Sequence, residues 1–250
     1  MKKKAPTNRL FNAVHDNNLE VIREIIKKGD VDLDRENEDQ DTLLQIACKA
    51  GSTGAVRLLL EAGAETDAKD KLDCTPLHSA CEKGHTNIAR LLIDAGADVE
   101  ARDSFDATPL HAACFKKRNN IVRLLLKHGA DPYAYDDEGE CPFYFTCANN
   151  SMEAVQIFLD HGADPCMKDE DATTPLHIAC RSFRADVFHL LLERGADPCA
   201  SNVYNDTPLH EAANFSSDSP GREQIIEWYR EHHPELVMEV FCTTRSTPQP

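Results

Sequence analysis

Apolar residues recur along the chain in pairs of short segments that have helical spacing. In one such pair, Leu77 and Ala80 fall on one face of a first segment. Ile88, Leu91 and Leu92 then follow the i, i+3, i+4 spacing of a second amphipathic helix. The pattern predicts two short helices that are joined by a turn and that bury their apolar faces together.

This helix pair repeats at a constant step. A threonine before the first helix and a glycine after the second helix both recur in steps of 33 residues. The threonines are Thr42, Thr75, Thr108, Thr174 and Thr207, with Cys141 in the vacant place, and the glycines are Gly63, Gly96, Gly129, Gly162 and Gly195. Because two independent markers agree, the sequence predicts a tandem repeat.

Four repeats begin with the tetrapeptide Thr-Pro-Leu-His, and its residues are suited to starting a helix. The threonine hydroxyl accepts a hydrogen bond from a free amide of the first turn, where proline needs no amide partner. A glycine such as Gly96 ends the second helix in the left-handed conformation. The Ala-Asp segment after that glycine is predicted to be an extended hairpin strand.

These tetrapeptides, with endings such as Ala95-Gly96-Ala97-Asp98, resemble the ankyrin repeat, whose signature is TPLHxAA. The resemblance covers roughly residues 7–233. It implies an all-α fold with β-hairpin loops, an ankyrin-repeat solenoid of about seven helix-turn-helix units of 33 residues.

The two terminal units depart from the common step. The first lacks the tetrapeptide, and the last has an enlarged turn, so that residues 216–221 should bulge out. Residues 234–241 are expected to pack on the final repeat and 243–250 to be disordered. The predicted division is an N-terminal lead at 1–6, a capping repeat at 7–38, repeats at 39–71, 72–104, 105–137, 138–170 and 171–203, an expanded capping repeat at 204–233 and a C-terminal tail at 234–250.

Composition narrows the function classes. Hydrophobic residues make up 41% and charged residues 28%, which is typical of a folded protein. The formal net charge of −16 disfavours nucleic acids and anionic membranes and favours a basic partner. Without a spanning apolar run or a signal peptide, the chain is expected in the cytoplasm, or else the nucleus.

Cysteines and histidines invite catalytic or metal-binding interpretations, but most of them follow the repeat. Five cysteines share one position in the first helix, and four histidines belong to the tetrapeptides. Neighbouring helices lie too far apart for disulfides or a shared zinc ion between equivalent positions. We expect reduced thiols, no metal, no cofactor and no enzyme activity; a surface nucleophile at Cys74 is the remaining enzyme hypothesis.

The resemblance implies binding through the hairpin tips and the exposed side of the first helices, on the concave face. Residues that depart from the repeat there are aromatic, aliphatic or acidic. Those chosen as candidate partner contacts are Leu72, Phe105, Phe115, Tyr133, Tyr135, Glu138, Glu140, Phe145, Glu170 and Tyr204. The aromatic residues among them have a second interpretation, which is ordinary packing between neighbouring repeats.

The sequence thus predicts a non-enzymatic scaffold or adaptor, expected to be a monomer, that binds another protein through a basic segment with an apolar anchor. Two alternatives stay open. One is a substrate-recognition subunit of a ubiquitin ligase, although the sixteen residues after Pro234 are too few for a suppressor-of-cytokine-signalling box. The other is a regulator that occludes the active site of an enzyme.

Overall fold

A computed structural model describes residues 6–29, 31–149, 151–214 and 219–243. Those residues form fifteen α-helices and no β-strand. The chain divides into two compact units, Met1–Pro142 and Phe143–Pro250. Each unit is a series of short antiparallel helix pairs.

The first unit contains four helix pairs. Its helices are α1 (Pro6–His15), α2 (Leu19–Lys27), α3 (Leu43–Ala50), α4 (Thr53–Glu61), α5 (Pro76–Lys83), α6 (Thr86–Asp94), α7 (Pro109–Phe115) and α8 (Asn119–Lys127). The first helices of successive pairs pack on one another, and so do the second helices, which gives two layers. The layers meet in a core of buried aliphatic side chains, among them the fully buried Leu77 and Leu92.

The second unit follows the same plan. Its helices are α9 (Pro142–Ala148), which begins at the last residue of the first unit, α10 (Met152–Asp160), α11 (Pro175–Arg181), α12 (Ala185–Glu193), α13 (Pro208–Ala213), α14 (Pro220–His232) and α15 (Pro234–Thr243). Phe143, Phe158 and Phe188 are fully buried, and the first two rings lie 5.4 Å apart. Phe143 stands at the repeat position of Leu77 and Leu110, and like them it is a core residue.

The capping prediction is confirmed in the first helices. The hydroxyl of Thr75 and the ring of His78 form a reciprocal capping box, and Pro76 occupies the first turn. Thr42 pairs in the same way with Gln45. These bonds satisfy amides that a helix start leaves without an intrahelical partner.

The loops between repeats form tight turns in place of the predicted hairpin strands. In one of them, the amide of Asp70 donates to the carbonyl of Cys74 at 3.0 Å and that of Asp73 to Asp70 at 2.9 Å. The carboxylate of Asp70 accepts from the amides of Leu72 and Cys74, at 2.9 and 3.1 Å. In a β-hairpin these amides would donate to the backbone of a facing strand. Here they donate to the Asp70 side chain, and no strand forms.

Neighbouring tips are joined to one another within each unit. The carbonyl of Leu72 accepts from the amide of Ser104 at 2.9 Å, and that of Phe105 accepts from Asp137 at 3.0 Å. In the second unit, the carbonyl of Asp171 accepts from the amide of Val203 at 2.9 Å. The tips are therefore held in register by backbone bonds.

The C-terminal end closes the second unit. Helix α15 packs against α13 and α14, and Val240 on it is fully buried. The sequence predicted this packing for residues 234–241. The predicted bulge at 216–221, the predicted lead at 1–6 and the predicted disordered segment at 243–250 each lie partly outside the described residues. The repeat boundaries given above stay predictions.

Candidate functional site

Two apolar side chains stand at equivalent positions of successive hairpin tips in the first unit. Leu72 is 54% exposed and Phe105 is 55% exposed. Each precedes a residue with positive φ, namely Asp73 at 56° and Asp106 at 55°. The carboxylate of Asp103 fixes the second tip by accepting from the amides of Phe105 and Ala107, at 2.9 and 3.0 Å. These turns hold large apolar groups in solvent.

An arginine connects this region to the next repeat. The guanidinium of Arg102 donates to the carbonyl of Asp106 and to that of Tyr135. Tyr135 is 39% exposed, whereas Tyr133 is half-buried. Phe105 and Tyr135 therefore belong to adjoining segments on the hairpin side of the unit, and Arg102 was not among the predicted contacts.

Acidic groups surround the tip at 136–140. The carboxylate of Asp136 accepts from the amides of Glu138 and Glu140, at 3.1 and 2.8 Å. Partial burial, and then the charges of Asp136 and Glu138, raise the pKa of the Glu140 carboxyl above its usual value. A cation arriving here would relieve this repulsion, so the tip is suited to a basic group.

Phe115 lies apart from the tips, at the C-terminal end of α7, whereas the tip precedes the N-terminus of that helix. Its ring is 64% exposed, and the ammonium of Lys116 lies 5.0 Å from the ring centroid. Lys116 also pairs with Glu82 at 3.6 Å. The predicted contacts of this unit thus form a tip surface, with Phe115 one helix length away.

The second unit carries the other three predicted residues. Glu170 and Tyr204 are exposed in neighbouring tips, and Tyr204 is 69% exposed. Phe145 is half-buried in α9 and is not a tip residue. Val203, 57% exposed beside Tyr204, was missed. The sequence could have indicated Val203, because it is apolar at a turn position where the equivalent tips have Lys71, Ser104 and Asp137.

Three histidines of the repeat, His78, His111 and His177, connect neighbouring repeats through hydrogen bonds. Nδ1 of His78 accepts from the amide of Thr75 at 3.2 Å, while its Nε2–H donates to the carbonyl of Ala107 at 3.1 Å. Burial is the main cause that lowers the pKa of His78 below its usual value. Gln45 and Tyr144 stand at the equivalent position of their own repeats. They also donate to a carbonyl of the following hairpin, that of Cys74 and that of Thr173 respectively.

Cys74, the candidate nucleophile, is in a position that disfavours its thiolate. Burial, followed by the charges of Asp70 and Asp103, raises the pKa of the Cys74 thiol to about 12. Sγ of Cys199 lies 3.7 Å from Nδ1 of His233. The same Nδ1 faces Glu235 at 3.6 Å. In a catalytic triad the histidine uses one ring nitrogen for the nucleophile and the other for the carboxylate, and this arrangement does not provide that.

Neither a metal-binding cluster nor a membrane-spanning helix occurs among the residues that the structure describes. Within the described ranges, no three His, Cys, Asp or Glu side chains are grouped to hold a metal ion. No helix among them is both long enough and apolar enough to cross a bilayer. The features that distinguish this surface are exposed apolar groups beside carboxylates, which suit recognition of another molecule.

Stacked helix pairs with linked tips define a class of protein, the tandem-repeat binding module. A family model described as ankyrin repeats, in three copies, matches residues 3–70, 63–136, 110–202 and 147–232. The chain therefore belongs to the ankyrin-repeat family. Domains of this family bind other proteins, and they are in general interaction modules and not enzymes.

A solved structure supports the same assignment. The crystal structure of the ankyrin repeat domain of Bcl-3, which is described as a unique member of the IkappaB protein family, superposes with a TM-score of 0.78. The two sequences are 31% identical, and the match covers 91% of this chain and all of the other. No curated protein sequence matches the chain.

Proposed function

We propose that the chain is a non-enzymatic adaptor whose hairpin tips bind a basic segment of a partner protein that carries an apolar anchor. One observation carries the proposal: Leu72 and Phe105 are both exposed at adjoining, hydrogen-bonded tips. A turn backbone that is already fixed loses little entropy on binding, and aromatic side chains such as Phe105 are enriched at protein interfaces.

Charge supports the basic character of the partner. Asp73, Asp106 and Glu138 are tip carboxylates of the same unit, and Asp106 adjoins Phe105 directly. Lys and Arg groups of a partner would pair with these carboxylates, while an apolar side chain would contact Leu72 and Phe105. In the second unit, Glu170 and Tyr204 supply a tip surface of the same chemical character.

The experiment begins with affinity purification of the full chain, followed by mass spectrometry, to obtain the partner. Binding of that purified partner is then measured by calorimetry. We expect Leu72→Ser/Phe105→Ser to weaken it by about 2 kcal/mol, because two exposed anchors are removed. Charge reversal at Glu138 and Glu140 should weaken it as well, and reversal of Glu170 tests the second unit separately.

The control is Glu193→Lys/Glu231→Lys, which makes the same charge change as Glu138→Lys/Glu140→Lys at exposed positions on α12 and α14. Full affinity in both tip variants would show the proposed surface to be wrong. Recovery of cullin or elongin subunits with the bait would instead support the ubiquitin-ligase alternative.

A further inference from the structure

Four arginines form a row on the second helices of the first unit. Each is the fifth residue of its helix: Arg23 in α2, Arg57 in α4, Arg90 in α6 and Arg123 in α8. Helix α2 packs beside α4, α4 beside α6, and α6 beside α8. All four side chains are exposed, and we call this set the arginine row.

The arginine row makes no ion pair within the part of the chain that the structure describes. The basic side chains of the first unit that do pair are Arg9, His15, Lys28, Lys49, Lys69, Lys71, Lys83 and Lys116. Glu61 and Asp94 follow Arg57 and Arg90 by four residues, which is the less favourable order for a helical pair. Four guanidinium groups are thus left to solvent in a chain of net charge −16.

The row is confined to one unit and is most basic at its α8 end. The equivalent positions of the second unit hold Gln156, which donates to Asp160 at 2.7 Å, and His189. Between residues 107 and 130 there is no Asp or Glu, although the whole chain has 43 of them. Five Lys and Arg residues lie in that stretch, including Arg123 and Lys127.

The spacing of the row indicates the shape of its ligand. Packed helices lie about 8–10 Å apart, and seven residues of an α-helix rise about 10.5 Å. A helix with carboxylates every seventh residue therefore presents one to each arginine. An extended segment matches poorly, because same-face residues are about 6.7 or 13 Å apart. The Arg fork binds a carboxylate through two parallel hydrogen bonds.

We propose that the arginine row binds an acidic helical segment of a partner protein, with one carboxylate for each arginine. A short segment of this kind covers the row alone. A long polyanion such as RNA, or an anionic membrane, would also meet the acidic side chains elsewhere on the chain and be repelled by them. The surface lies on the second helices, so the proposal is independent of the hairpin tips and their basic partner.

The probe is a fluorescein-labelled, alanine-rich helical peptide with four glutamates spaced seven residues apart. Its binding to the full chain is followed by anisotropy at low and physiological salt. We expect the affinity to fall with added salt, and to fall by about tenfold or more in Arg57→Glu/Arg90→Glu/Arg123→Glu, since three ion pairs become repulsive contacts. Circular dichroism of this variant confirms that it folds.

Two controls distinguish the effect of the arginine row on peptide binding from the effect of net charge. Arg35→Glu/Lys71→Glu/Lys83→Glu makes the same change in charge at exposed positions off the row, and it should bind the peptide within about threefold of the original chain, because only screened distant charges differ. A second peptide, with its glutamates distributed around the helix, should bind weakly.

The proposal is overturned if the row variant binds the first peptide as the original chain does, or if the control variant loses as much affinity as the row variant. Equal binding of the two peptides would also overturn it. Single-stranded RNA and phosphatidylserine vesicles are tested in parallel, and tighter binding of either through the same arginines would show that the occupant has been assigned wrongly. Hairpin-tip variants should leave peptide binding unchanged, so the two proposals fail separately.

Discussion

At the residue scale, one side chain in several of the first helices both caps its own helix and bonds to the next hairpin. His177 caps its own helix through Thr174 and donates from Nε2–H to the carbonyl of Asp206 in the next hairpin, at 3.0 Å. His111 reaches the carbonyl of Glu140 in the same way, at 3.2 Å. Each bond gives a backbone carbonyl of the next hairpin a partner, and the His177 bond is part-buried, where an unpaired carbonyl is costly.

His78→Ala should therefore lower the free energy of unfolding by about 2 kcal/mol, because the amide of Thr75 and the carbonyl of Ala107 both lose a partner. His78→Gln should restore most of the loss, since Gln45 fills this position in the preceding repeat. Urea unfolding measures both. An alanine variant as stable as the original chain would contradict the bridging role.

The hairpin is the element that shapes the candidate surface, and its aspartate fixes the tip. Asp103 holds the turn beneath Phe105, and in the last hairpin Asn202 does the same by accepting from the amides of Tyr204 and Asp206, at 2.9 and 3.0 Å. The acceptor oxygen, and not the charge, therefore maintains the turn. An element this short has no strand ladder to replace that oxygen if it is removed.

We expect Asp103→Ala to cost about 1–2 kcal/mol of stability and to weaken partner binding, because the tip that carries Phe105 loses both side-chain bonds. Asp103→Asn should retain the turn. Thermal unfolding and calorimetry with the purified partner measure the two effects. If the alanine and asparagine variants behave alike, the side-chain oxygen does not hold this tip.

At the scale of the whole molecule, the buried histidines couple stability to pH. Burial lowers the pKa of His78, His111 and His177 below the usual value of 6.5. The unfolded chain therefore binds more protons than the folded chain as pH falls through this range. The stability contribution is present above pH 6.5 and is lost as pH drops toward the lowered values.

The urea midpoint should accordingly decrease between pH 7.5 and pH 5.5, and the decrease should be smaller in a His78→Gln/His177→Gln variant. His15, which is exposed, provides the control substitution His15→Gln. An identical pH dependence in the double variant and the original chain would rule out these histidines as the cause.

Much of the fold follows from local rules that a sequence displays. Thr75 caps a helix whose first turn holds Pro76, and the register of Phe143 with Leu77 and Leu110 assigns it to the core. The hairpin strands were predicted wrongly, because the competition between a backbone ladder and the Asp70 side chain is resolved only by the geometry of the turn. Phe145 was predicted as a partner contact, with packing between repeats as its second interpretation, and it is half-buried.

The sequence by itself determined the repeat, its step and the side chains that start and end each helix, since these depend on contacts within a few residues. Tertiary structure decided which candidates share a surface: it joined Leu72 with Phe105 through linked tips and set Phe115 at the far end of a helix. It also decided which charges are paired. Exposure and ion pairing depend on neighbours that are distant in the chain, and only packing brings those neighbours together.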